Sequence, residues 1–376
     1  MDLDLIVVGG GPVGAALARA VRGLAVALVA AERRASPGVP YEGFDARVYA
    51  LSPGNVRFLE GLGAMPSAQA TPVHEMRVHG DDGSRIEFDA YRAGVPELGW
   101  VVEDRLLQDA LWHGLDAEIG VPASLEIGSE QAVVGLAGGR QLTAKLVAGA
   151  DGARSFVRQH AGIEARQKDY GQSALVANFA CERGHAHTAY QWFQRGPVLA
   201  LLPLRGRHVA MVWSLPAADA GRIGALAPEA LCREVEAATH GVLGQLSLVT
   251  APRSYPLSRL SARRMIGPRV ALAGDAAHVI HPLAGQGLNL GLQDARALAR
   301  VLAQRGPLRD PGDVRLLRRY ERARAEPILA MDAMVDGLHA LFGTQNRLAA
   351  RLRNAGLNLT DRIPVLKNLL IRQALH

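Results

Sequence analysis

Two aspartates, each just past an apolar run, are the side chains best placed to grip a polyol. Asp151 stands in VAGADGARSFVR and Asp275 in RVALAGDAAHVIHP. A carboxylate accepts several hydrogen bonds, so at the end of a strand it can hold sugar-like hydroxyls. A third turn of this kind opens the chain. DLIVVGGGPVGAALARAVR sets Gly9, Gly11 and Gly14 as G-x-G-x-x-G between an apolar strand and a helix. The first glycine makes the tight turn, the second lets backbone approach a pyrophosphate, and the third lets helix and strand close together. The helix N-terminus adds partial positive charge. Glu32 ends the second apolar run, AVALVAAER, near the distance of about 20 residues expected for a ribose-binding acid. A carboxylate there disfavours a 2′-phosphate, so the expected ligand is the adenosine diphosphate of FAD or NAD.

NAD needs only this opening unit. A longer cofactor needs a second site elsewhere in the fold, and Asp275 is the candidate for the ribityl chain of FAD. The stretch GDAAHVIHPLAGQGLNLGLQD, Gly274 to Asp294, then has a use for its glycines. A flat tricyclic ring lies against backbone only where no Cβ intervenes, which makes Gly285 and Gly287 expected contacts. The helix starting near Leu288 would aim its N–H groups at the ring edge where reduced flavin is negative. His278 and His281 form H-x-x-H, but no carboxylate or cysteine lies at a useful spacing, so no metal is expected. No G-x-S-x-G elbow supports a serine hydrolase.

These turns need strands and helices to carry them. The opening reads as strand, turn, helix, strand. Residues 73–90 alternate around DDG and read as a β-hairpin. RLLQDALWHGL is a helix leading to KLVAGADGARSFVRQHAG, again strand, turn and helix. From 171 to 256 the texture is strand-rich (HTAYQWFQ, PVLALLPL, RHVAMVWSL), interrupted by the helical PEALCREVEAATHGVL. RVALAGDAA restores the α/β pattern, and the chain from 288 on reads as helical, with Met331, Val335, Leu338 and Phe342 at helical spacing.

At 376 residues, with 49% hydrophobic and 21% charged residues, the chain can bury a large core as two interleaved domains. Two cysteines make neither a disulfide framework nor a zinc site. The start has no basic n-region, and no run approaches the roughly 20 apolar residues of a membrane span. The expected location is cytoplasmic, with possible contact at the inner membrane. Net charge is +6; residues 296–376 hold 15 Arg or Lys against 7 Asp or Glu, which leaves −2 for the rest. This basic segment could face anionic lipid or simply reflect arginine-rich composition. Nothing accompanies the arginines that would suit nucleic acid.

Taken together, the G-x-G-x-x-G with Glu32, GADGARSFVR, and GDAAHVIHPLAGQGLNLGLQD resemble the three motifs of single-component flavin aromatic hydroxylases, the p-hydroxybenzoate hydroxylase fold. HVIHPLAGQGLNLGLQD is similar to the ubiquinone-biosynthesis hydroxylases (UbiH, UbiF and UbiI type), as are ARVYALSPGN, VVEDRLLQDAL and GPVLALLPL. The resemblance runs from residue 1 to the low 320s. It implies an α/β fold, a Rossmann-like FAD-binding domain (1–72, 96–168 and 257–325) interleaved with a β-sheet-rich substrate domain (73–95 and 169–256), and a helical C-terminal region (326–376). It further implies that Gly9, Gly11, Gly14, Glu32 and the adjoining Arg33 hold the ADP moiety and that Arg47 and Arg105 contact the cofactor. Asp275 would then serve the ribityl and pyrophosphate region, and Pro282 to Asn289 (Pro282, Gly285, Gly287, Leu288, Asn289) the isoalloxazine. Asp151 would serve both FAD and NAD(P)H. The implied activity is NAD(P)H- and O2-dependent hydroxylation of an aromatic ring through a flavin C4a-hydroperoxide, on a prenylated phenol or quinol of ubiquinone biosynthesis. A soluble aromatic substrate, a prenyl-chain reductase and a non-catalytic subunit of a biosynthetic complex are the alternatives. Tyr190, Trp192, Phe193 and Trp213 are the substrate-side candidates, with alternation along strands expected to leave half of them as packing. The apolar stripe of the last helix packs on the flavin domain or lies on a bilayer surface.

Overall fold

The computed structural model describes residues 3–33, 43–81, 83–194, 196–280, 286–306 and 308–343, with side chains as far as residue 333. Elements are numbered along the chain. One sheet holds β1 (Leu3–Val8), β2 (Val26–Ala30), β8 (Ala117–Ile119), β9 (Pro122–Ile127), β10 (Ala132–Leu136), β11 (Gln141–Gly149), β18 (Ile266–Gly267) and β19 (Val270–Leu272). The strands β19–β11–β1–β2–β8 run parallel in that order. Parallel strands are covered on both faces, which is why β1 and β2 read LDLIVV and VALVA with no alternation.

A second, nine-stranded sheet has the order β20-β17-β12-β15-β14-β13-β5-β6, with β16 on β12. Its strands are β5 (Glu75–His79), β6 (Arg85–Asp89), β12 (Ala165–Cys181), β13 (Thr188–Phe193), β14 (Val198–Leu204), β15 (His208–Pro216), β16 (Leu246–Leu248), β17 (Arg253–Ala262) and β20 (His278–Val279). A small antiparallel sheet, β3 (Val48–Leu51), β7 (Gly99–Glu103) and β4 (Thr71–Val73), packs through Val73 and Val101 against Ala189, Leu204 and Ala210 of the second sheet. The helices are α1 (Pro12–Ala20), α2 (Pro53–Gly61), α3 (Ala90–Ala93), α4 (Asp104–Trp112), α5 (Phe156–His160), α6 (Ala217–Gly224), α7 (Pro228–Ala238), α8 (Gly287–Ala303) and α9 (Val314–Gly343). This is the expected α/β architecture: a Rossmann-like sheet, a β-rich part inserted into it, and helices at the end.

The sheet ladders do not stop where the change in sequence texture does. β12 begins at Ala165 and β17 runs on to Ala262, and Ala165–Asp169 pairs with Ser258–Ala262 as a ribbon. β12 therefore crosses 168/169 and β17 crosses 256/257; within β12 the polar, exposed ARQKDYGQ passes into the apolar, buried SALVANFAC without a break in the strand. The three-stranded sheet was not expected at all; its strands are only three to five residues long, too short for a periodic signal.

The large core spreads over the parallel sheet and α1, α4, α8 and α9. A second core fills the gap between the nine-stranded sheet and α6 and α7. Helix α9 spans the two lobes. Ile328 packs on the first core, whereas Met331 joins Val78, Phe193 and Val198 of the second sheet. The apolar stripe therefore divides between lobes as far as Met331; the side chains of Val335, Leu338 and Phe342, and residues 344–376, lie outside the described residues. Among the described residues no helix is long and apolar enough to cross a membrane.

Candidate active site

Gly9 follows β1 with φ +117°, a backbone conformation that strains any side chain. A Cβ on Gly14 would sit 1.9 Å from the Gly9 carbonyl oxygen, so α1 packs against the turn only because Gly14 is glycine. Gly11 differs: a Cβ there would meet nothing within 4 Å, and the residue lines a cavity of about 2190 Å³. The open space lies at the N-cap of α1, which carries no side-chain cap and no acidic residue in its first turn. A diphosphate fits this place by charge and by room. Glu32 lines the same cavity two residues past β2, whereas Arg33 is exposed and does not line it. From behind, the Trp112 Nε1–H of α4 donates to the Gly10 carbonyl at 2.9 Å and fixes the turn.

The other two turns are tied to each other. Asp151 follows β11, and its Oδ2 accepts the Val157 N–H at 3.0 Å, helping Ser155 cap α5. Its Oδ1 is buried without a hydrogen-bond partner, and burial pushes the carboxyl up against the pull of its Ser155 and backbone bonds. Arg158 then reaches across, donating to the Ala276 carbonyl at 2.8 Å and the Ala153 carbonyl at 2.7 Å. Asp275 lies between β19 and β20, flanked by buried residues, and its own side chain is open to the cavity. Burial raises its carboxyl above the usual range, and His278 and Arg47 pull it back. The Arg47 guanidinium lies 5.4 Å from the Tyr49 ring centroid and 6.0 Å from that of Tyr255. Burial opposes its charge, but Tyr49, Asp104, Tyr255 and Asp275 outweigh that effect and raise its pKa.

Behind Asp275 sits a fully enclosed charge cluster. Asp294 of α8 accepts the Arg324 Nε–H at 2.6 Å, the Gly274 N–H at 2.9 Å and a 2.6 Å bond from His278 Nε2. Although burial works the other way, His278 and then Arg324 hold Asp294 below the ordinary aspartate value. Asp294 in turn raises the His278 pKa despite its burial. This cluster joins the Asp275 turn to α8 and α9, with His278 Nε2 engaged by Asp294. Among the described residues no cluster of potential metal ligands occurs.

Of the stretch expected to bind the ring, Gly287 and Leu288 line the cavity at the start of α8, whose N-cap, Gln286, makes no side-chain cap bond. Pro282 and Gly285, with His281, lie outside the described residues. Asn289 corrects the expectation, because its side chain turns away from the cavity. Its Oδ1 accepts from the Ser52 N–H and Asn55 Nδ2, both at 2.9 Å, and its Nδ2 donates to the Ala50 carbonyl at 2.8 Å. It clamps β3 and α2 to α8. On α4 the residue that lines the cavity is Gln108, one turn beyond Arg105. Gln108 Oε1 and Trp100 Nε1 are, like Asp151 Oδ1, buried and unpartnered. The i, i+3 spacing from Arg105 could have suggested Gln108; nothing in the sequence marked Trp100.

The nine-stranded sheet forms the cavity floor by strict alternation. Ala189, Gln191 and Phe193 of β13, and Val212 and Ser214 of β15, line it. Tyr190, Trp192 and Trp213 point the other way, into the core against α6 and α7. Three of the four aromatic candidates are therefore packing, and Phe193 alone faces the cavity.

The donor set, the room at Gly11 and the unpartnered buried polar atoms fit an extended nucleotide cofactor. One drug-sized ligand occupies roughly 300–1,000 Å³, so the cavity has space for a second molecule beside it. The family described as FAD binding domain matches residues 2–333. The chain is 34% identical to the 3-demethoxyubiquinol 3-hydroxylase of Escherichia coli K12, over 99% of this chain and 98% of that one. It is 35% identical to the ubiquinone hydroxylase UbiL of Rhodospirillum rubrum, covering 99% and 89% of the two chains. In fold it is similar to p-nitrophenol 4-monooxygenase PnpA of Pseudomonas putida, with a TM-score of 0.79, 18% identity and coverage of 100% and 98%. Klebsiella pneumoniae HpxO, whose structure holds FAD and uric acid, gives 0.77 at 18% identity, with 99% and 97% covered. The chain thus belongs to the FAD-dependent monooxygenases of the p-hydroxybenzoate hydroxylase fold, in the branch that contains the ubiquinone hydroxylases.

Proposed function

We propose that this enzyme hydroxylates the aromatic ring of a prenylated phenol or quinol intermediate of ubiquinone biosynthesis, with NAD(P)H as reductant and O2 as oxygen source. One observation carries the reading. A single cavity runs from Gly11 and Glu32, past Asp275 and Leu288, onto the floor of the nine-stranded sheet, where apolar side chains predominate. Both relatives of 34–35% identity bear ubiquinone-hydroxylase names.

FAD, when bound and reduced, would supply the activation of O2, one atom of which goes to the ring while the other leaves as water. The residues do the rest. The α1 N-terminus and Gly11 bind the pyrophosphate, and Glu32 accepts from the ribose hydroxyls. Asp275 accepts from the ribityl hydroxyls, and Asp151 Oδ1 takes a further donor. The free N–H groups at Gly287 and Leu288 stabilise negative charge on the ring. The cofactor lobe comprises 1–72, 96–168 and 257–325; 73–95 and 169–256 carry the substrate and exclude water from the reacting oxygen. Gln191 and Ser214, the two polar side chains that β13 and β15 present, orient the ring oxygens.

The test is direct. Purified protein is yellow and couples NAD(P)H oxidation to O2 uptake when a prenylated phenol is added. Protein that stays colourless after reconstitution with FAD rejects the reading. Peripheral contact with the cytoplasmic face of the inner membrane is part of the same proposal, supported by the exposed Arg315, Arg318, Arg319 and Arg322 of α9. Flotation with anionic liposomes at low salt, lost at high salt, is the expected result; no flotation at low salt rejects it.

A further inference from the structure

We propose, resting on the function just stated, that the arm of the cavity between the β5–β6 hairpin, Phe193 and α9 is a subsite for the polyprenyl tail. Polarity changes along the floor. At the β17 edge the lining includes Arg47, Tyr255 and Asp275, and β20, which follows Asp275, pairs with β17. Ser214 and Gln191 are polar stations further across. Beyond β13, the sheet residues that line the cavity are Met76, Val78, Ile86 and Phe88, all apolar, and Met331 of α9 closes over them.

The hairpin is built for two different surroundings. Its outward side chains form a charged ladder, with Arg77 bonded to Glu75 at 2.7 Å and Arg85 paired with Glu87. The inward side chains alternate with these and face a cavity. Val78 and Phe193 already pack on one another and on Met331, and an apolar guest in the arm would cover the faces that still line the cavity. A ring held near Asp275 and Leu288 needs no wall six strands away, whereas a long hydrocarbon chain attached to that ring does. The path also has a way out. β6 is the last strand of its sheet, and the elements flanking the arm present exposed apolar side chains: Tyr91, just after β6, is 92% exposed, and Leu329 of α9 is 67% exposed. A tail longer than the arm can emerge there.

The experiment uses the FAD-loaded enzyme and phenols carrying one to several isoprene units in a single detergent. In the wild type, kcat/KM rises with tail length. Met331→Trp and Met76→Trp, which fill the arm, lower the ratio of kcat/KM for the longest tail over the one-unit tail by about tenfold or more, as expected for displacing a few methylene groups from an apolar site. Flavin absorbance shows that each variant is folded and loaded; both residues are only partly buried, so either one suffices. A ratio unchanged in a loaded variant overturns the subsite. So does a wild-type kcat/KM that ignores tail length while prenylated phenols are turned over. Turnover of a soluble phenol but of no prenylated one overturns the underlying function, and the subsite with it.

Discussion

The cavity has two unlike walls. The wall of turns is fixed by hydrogen bonds between residues far apart in sequence: Arg158 to Ala276, Asn289 to Ser52 and Asn55, Asp294 to Arg324 and His278. The sheet floor is fixed by a backbone ladder, and its cavity side chains are small or apolar and make few polar bonds. A polar wall that is already bonded holds one ligand in one pose. An apolar floor tolerates change, because a mispacked methyl group costs less than an unpaired buried charge. Substitutions on the first wall should therefore act on folding and flavin, and those on the second on substrate alone.

The largest effect tests the first wall at its tightest point. Gly14→Val puts side-chain atoms where 1.9 Å separates a Cβ from a backbone oxygen. We expect a loss beyond about 4 kcal/mol and little soluble protein; a soluble, flavin-loaded variant breaks the contrast. Arg324→Met comes next. It leaves Asp294 buried with one cation fewer and should cost about 3–5 kcal/mol, read as a lower Tm. The same cluster sets a pH dependence. The folded His278 pKa is raised above 6.5, so its stabilisation is complete at lower pH and fades as pH climbs from 6.5 through the folded value. The folded Asp294 pKa is lowered, so its contribution is lost only as pH falls below 3.8 towards that value. Wild-type Tm should fall as pH rises above 6.5 more steeply than that of His278→Gln; equal slopes sink this account.

Asp275→Ala has a narrower effect. Losing an acceptor for the ribityl hydroxyls should weaken FAD binding by about 10- to 100-fold in a titration of apoprotein. Because burial raises this carboxyl, its ionised form costs stability in the apoprotein, which should melt no lower without it. Unchanged flavin affinity rejects the role. The smallest effects compare neighbours on opposite faces of the floor. Phe193→Ala should raise KM a few-fold, whereas Trp213→Phe should leave KM alone, since Trp213 faces the α6–α7 core. It should also cost less than about 1.5 kcal/mol, because its indole N–H has no partner to lose.

The same contrast explains what could be read in advance. Gly9, Gly11, Gly14, Glu32, Asp151 and Asp275 stand out because a turn and a carboxylate need particular residue types at fixed offsets. Asn289 misled because its amide is taken up by Ser52, Asn55 and Ala50, partners that no local pattern announces. On α4 the residue around the cavity is Gln108, one turn beyond Arg105. The floor was harder still. Every residue of β13 is buried, so TAYQWF has no polar face to reveal which half of the alternation meets the cavity. Only the register with β14 and β5 settles it.

Arg158 spans 118 positions of sequence to fasten one turn to another. The relative position of these two turns is therefore set by the chain's own groups. An enzyme of this kind should survive removal of its flavin and accept reloading with analogues altered at the ring. That makes it a ready frame for asking which ring chemistry a given quinol precursor demands.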